Sequence, residues 1–81
     1  MRPAASQPPP LSARPLTKRQ AAALQCMADG MTEYEAARHL GLATASVRMR
    51  LAHARERLGA RSLTHAVALA VAAGLVRVNE N

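Results

Sequence analysis

Apolar and polar positions alternate with a helical period from residue 16 onward, and glycines break that period at regular intervals. Thr17-Lys-Arg-Gln20 reads as a capping box, with Leu16 as the apolar staple before it. Leu24, Met27 and Ala28 carry the helix to Asp29, and Gly30 supplies a left-handed stop. Thr32 and Glu35 form a second capping box, opening a short helix through Ala36, Ala37 and Leu40 that Gly41 ends. A third helix is expected over 44–58, with Thr44 as its cap and Gly59 as its stop. Ser62 is placed to cap a fourth helix, 63–73, stopped by Gly74 and trailed by Leu75, Val76 and Val78. The prediction is an all-α, four-helix domain over 16–78 with a short tail, 79–81. Its second and third helices form a tight helix-turn-helix, with small Ala37 at the crossing and Leu42 as the apolar peg of the turn.

Residues 1–15 differ in kind. Proline, serine and alanine dominate them, which predicts a flexible leader. A sharper reading makes Arg2 and Arg14 an arm that reaches a minor groove.

The stretch TASVRMRLAHARERL (44–58) is the one the rest of the chain is arranged to hold. At about 3.6 residues per turn, Val47, Leu51, Ala54 and Leu58 fall on one stripe and should face a small core. The opposite crest carries Ala45, Ser46, Met49, Ala52 and His53, all small or uncharged. Arg48 and Arg55 run along one flank, Arg50 and Arg57 along the other. Such flanks are commonly no more than a solvated surface. A solvated helix, however, mixes signs for i,i+4 pairing, and here only Glu56 interrupts the arginines. A slim neutral crest between two cationic rails suits a DNA major groove, with the crest at base edges and the rails at phosphates.

Composition agrees with that picture. A net charge of +6 over 81 residues favours a polyanionic partner, nucleic acid or an anionic membrane surface. Tyr34 is the one aromatic residue, which argues against a single-strand reader built on base stacking. Cys26 has no second cysteine to pair with and is read as a small buried hydrophobe, consistent with a reducing, cytoplasmic setting. No stretch is long and apolar enough to be read as a membrane span. Alanine-rich helices bury little area each, so stability should be modest.

The fourth helix is apolar almost all round: Ala66, Val67, Leu69, Ala70, Val71 and Ala73 leave His65 as its only ionisable side chain. A helix of that kind is buried on more than one side. A homodimer contact is therefore expected, with Ala66, Leu69, Ala70 and Ala73 as its interface residues.

Set out together, Leu16-Thr17-x-Arg19, Leu24, Ala28-x-Gly30-Met31-Thr32, Glu35-x-Ala37, Leu40, Ser46-Val47-Arg48, Leu51, Leu58-Gly59-Ala60, Ala66-Val67 and Gly74-Leu75 resemble the LuxR/GerE-type helix-turn-helix domain. The likeness covers residues 16–76. It implies a free-standing transcription regulator that puts its third helix in the major groove of double-stranded DNA and pairs through its fourth. Carried over by position, it makes Arg48 a base or phosphate contact. Met49 faces bases, and Ala52 is the outward position a turn later. Thr32, Thr44 and Ser46 become backbone contacts. The chain departs from the pattern at Gln20 and Ala22, where acidic residues are usual, and at Ala23, Ala43, Arg50 and Leu63. These changes add positive charge and remove packing volume.

Two rivals are set beside this reading. Residues 50–58 are also similar to the recognition helix in the last domain of sigma factors, but the spacing of the first helix and the capped fourth helix do not fit. Alternatively the chain is a small antagonist whose fourth helix binds a larger regulator or RNA polymerase. An enzyme is not expected: His39, His53 and His65 lie on three different predicted helices, with no triad or metal-ligand spacing. No metal and no cofactor is called for.

Overall fold

Side-chain caps fix where three of the four helices begin. The computed structural model describes residues 16–79, in which α1 spans Lys18–Ala28, α2 Glu33–Leu40, α3 Thr44–Leu58 and α4 Leu63–Ala72. No strand occurs among the described residues. The leader with Arg2 and Arg14, and the last two residues, lie outside them.

Both predicted capping boxes are formed. The Gln20 amide donates to Thr17 Oγ1 at 3.0 Å, and the Thr17 amide donates to Gln20 Oε1 at 3.1 Å. Glu35 and Thr32 make the same exchange at 3.1 and 2.9 Å. Ser62 caps α4 by accepting from the His65 amide at 3.0 Å, and His65 Nδ1 accepts from the Arg61 amide at 3.0 Å. His65 thus reaches back to the residue before the cap, whereas Gln20 and Glu35 return to the cap residue itself. Each such cap contributes about 0.5–2 kcal/mol.

The start of α3 departs from expectation. Thr44 is already helical, and Ala43 occupies the cap position without a side-chain hydrogen bond. The cause is the short turn: half-buried Leu42 packs against the core directly after Gly41, which leaves Ala43 as the last extended residue. Gly41 has φ +72°, and the Leu42 amide returns to the Ala37 carbonyl at 2.8 Å. A residue with a Cβ would be strained there by about 1–2 kcal/mol.

The core is built mainly of alanine, with Leu24 and Val47 its largest fully buried side chains. Small side chains let backbones approach closely, and α3 packs against each of the other three helices. The predicted stripe of Val47, Leu51, Ala54 and Leu58 is buried. Cys26 is buried as well, and desolvation, helped by the charge of Asp29, pushes its thiol above the usual range. That favours the inert, hydrophobic role read from its isolation.

Ala66 and Ala70 correct the sequence reading of α4. Both are fully buried against the chain's own core, so neither has surface to offer a partner. Leu69 is half-buried on that core, and Ala73, just past the helix, is exposed. The outward face is instead Thr64, Ala68 and Ala72, flanked by Val67 and Val71.

A clamp between distant residues ties down the chain after α4. The Gln25 side chain accepts from the Arg77 amide at 3.0 Å and donates to the Arg77 carbonyl at 2.7 Å. Asp29 accepts from the side chains of Gln25 at 3.0 Å and Asn79 at 2.8 Å. Asn79, assigned to the tail by sequence, is therefore held on α1. Val76 is buried by this arrangement, while Val78 remains exposed beside Met27.

Candidate nucleic-acid interface

With its apolar stripe buried, α3 has one direction left for its remaining side chains. Ala45, Ser46, Arg48, Met49, Ala52 and His53 are exposed along it, and Met49 is 57% exposed. Thr44, Arg50, Arg55 and Arg57 are half-buried at its margins. The crest expected from the helical period is therefore outward and almost uncharged. An exposed methionine among alanines gains nothing in open water, but it suits contact with a surface that is part apolar, such as a base edge with a thymine methyl.

The margins differ. On one side, a cleft of about 720 Å³ separates the crest from the first turn of α1. Lys18, Arg19, Arg50 and His53 line it, with no carboxylate among its lining residues. On the other side, a smaller cleft of about 340 Å³ is lined by Arg48, Arg55 and Arg61 together with Glu33. Here Arg48 Nε donates to Glu33 Oε1 at 2.7 Å, with the two side chains 66% and 36% exposed. An ion pair so open to water is worth about 0–1 kcal/mol, so it biases Arg48 more than it locks it. Because the bond uses Nε, the two terminal nitrogens of Arg48 are left for another acceptor.

Thr32, the cap of α2, has its amide and hydroxyl oxygen taken up by the capping box. Only its hydroxyl hydrogen is left for a phosphate, and Glu33 and Glu35 in the same turn repel one. His39 and Arg38 lie in the last turn of α2, at the negative end of its dipole. Among the described residues no cluster of His, Cys, Asp or Glu is placed to hold a metal.

The GerE model, bacterial regulatory proteins of the luxR family, matches residues 14–70, more than half of the chain. The chain belongs to the LuxR family. No curated protein and no solved structure gives a match. The family is one of helix-turn-helix DNA-binding regulators, and the all-α architecture seen here is its fold. The matched span contains α1, α2, α3 and most of α4, so both clefts beside α3 fall inside the LuxR domain. No helix among the described residues is long and apolar enough to cross a membrane.

The outward crest and the Arg48/Arg55 margin follow from the helical period; three groups do not. Lys18 and Arg19 line a cleft with α3 only because α1 folds against it. Nothing in the linear pattern aims Glu33 at Arg48, 15 residues on. The clamp made by Gln25 joins residues 52 apart.

Proposed function

We propose that this LuxR-family chain is a sequence-specific reader of double-stranded DNA that regulates transcription in the cytoplasm, by binding and without catalysis. Helix α3 lies in the major groove. Ala45, Met49, Ala52 and His53 face base edges, and Arg48 presents its terminal nitrogens to a base. Thr44, Ser46, Arg50, Arg55 and Arg57 meet the backbones on either side, and Thr32 adds a weaker contact. The observation that carries this reading is the exposed, uncharged crest bordered by cations on both margins.

Two copies pair through the outward face of α4. Its support is an apolar groove of about 660 Å³ formed by Val67, Ala68, Val71 and Ala72 with Met27 and Val78. Leu69 and Ala73 border that face, and Ala66 and Ala70 support it from beneath. Pairing would align two α3 helices on a two-fold site. The same groove also favours a second reading, an antagonist that caps the fourth helix of a larger regulator.

Selecting bound duplexes from a random pool tests the proposal. A palindromic consensus, with affinity that falls steeply as salt rises, supports sequence-specific pairing on DNA. A chain with no duplex affinity that nevertheless forms a complex with a larger regulator would establish the antagonist instead. Ala68→Glu, at an exposed position, should leave a folded monomer with weak site affinity by ultracentrifugation and gel shift. Unchanged mass and affinity would remove α4 from the pairing surface.

A further inference from the structure

The cleft of about 720 Å³ between α1 and α3 gathers Lys18, Arg19 and Arg50 with no carboxylate among its lining residues. Lys18 and Arg19 are exposed on one wall, and half-buried Arg50 stands on the other. None of the three has an ion-pair partner among the described residues. Like charges that share a cleft repel one another, and an anion lying between them relieves that repulsion. The lining of α3 runs from Ala45 to His53, a length of about 12 Å. That is long enough to pass more than one phosphate of a strand, so the anion that fits is extended.

The opposite margin supplies the contrast. Glu33 is held beside Arg48, and Glu33 and Glu35 both stand in the first turn of α2, so a backbone strand is held less strongly there than in the α1–α3 cleft. We propose that the α1–α3 cleft grips the sugar–phosphate backbone of one DNA strand, with Lys18 and Arg19 as its phosphate contacts. The duplex is thus held chiefly from the α1 side. These contacts carry register and affinity but no sequence information. The inference rests on the DNA reading above.

The test is the full chain carrying Lys18→Ala and Arg19→Ala, measured by fluorescence anisotropy on its selected site and on a short random duplex, between about 50 and 200 mM salt. With about 0.9 unit of salt slope per phosphate lost, the slope should become shallower by about two on both duplexes. The ratio of selected to random affinity should stay unchanged. Lys18→Gln with Arg19→Gln, which keeps length and removes charge, should give the same result, and thermal melts report that each variant is folded. A wild-type slope in folded variants overturns the cleft while leaving the DNA reading intact, as does a lost ratio at constant slope. A wild-type chain with no duplex affinity overturns the DNA reading and the cleft with it.

Discussion

On the α1 side of α3, Lys18, Arg19 and Arg50 share a cleft that has no carboxylate; on the α2 side, Arg48, Arg55 and Arg61 share one with Glu33. Both sides are basic in sequence. In the fold, one margin offers its charge outward and the other spends part of it on an internal pair 2.7 Å long. Charge that is already partnered attracts phosphate weakly, yet a partnered arginine is better aimed. On the proposed reading, the α1 side supplies affinity and the α2 side discrimination.

Four substitutions can break or sharpen that division. Arg48→Ala should cost about 1–3 kcal/mol on the selected site, with little change in salt slope, as for a lost base contact. Equal losses on selected and random duplexes would show that Arg48 reads only phosphate and that the two margins do not differ. Arg50→Ala should weaken every duplex roughly tenfold near 0.1 M salt and reduce the slope by about one. Anisotropy titrations that give an unaltered slope would remove Arg50 from the backbone set.

Ala43→Ser leaves the charge of both margins in place. It supplies the side-chain cap that α3 lacks and should stabilise the fold by about 1 kcal/mol, a rise in melting temperature of about 4–8 °C for a domain of this size. Calorimetry reads the gain, and binding slopes should not move. Glu33→Gln is the smallest and most pointed change. Freeing Arg48 should tighten random-duplex binding by a few fold, steepen the slope by up to about one and lower the selected-to-random ratio. Weaker random binding in this variant would mean that Glu33 does not oppose phosphate.

How much the sequence disclosed follows from the range of each interaction. Both capping boxes and the glycine stops are exchanges within five residues, and they were legible. The buried stripe of α3 was legible because its period contrasts apolar with charged positions. In α4 that contrast is missing. An all-apolar helix does not announce which face is inward, so Ala66 and Ala70 were assigned to a partner when the core had already taken them. Thr44 was read as a cap from residue type, but the cap position is set by where Leu42 must pack. Lys18, Arg19 and Glu33 come beside α3 through tertiary contacts alone, which no local pattern carries.

The claim that α3 presents its crest to the major groove can be read from a single side chain. Met49 is exposed on that crest, whereas Met27 borders the α4 groove and half-buried Met31 packs on the core. With methionine methyls labelled by carbon-13 and the chain bound to its selected duplex, nuclear Overhauser contacts can be sought between each methyl and base protons. The account predicts contacts from the Met49 methyl to major-groove protons and none from Met27 or Met31. A Met49 methyl left unperturbed by bound duplex would contradict it.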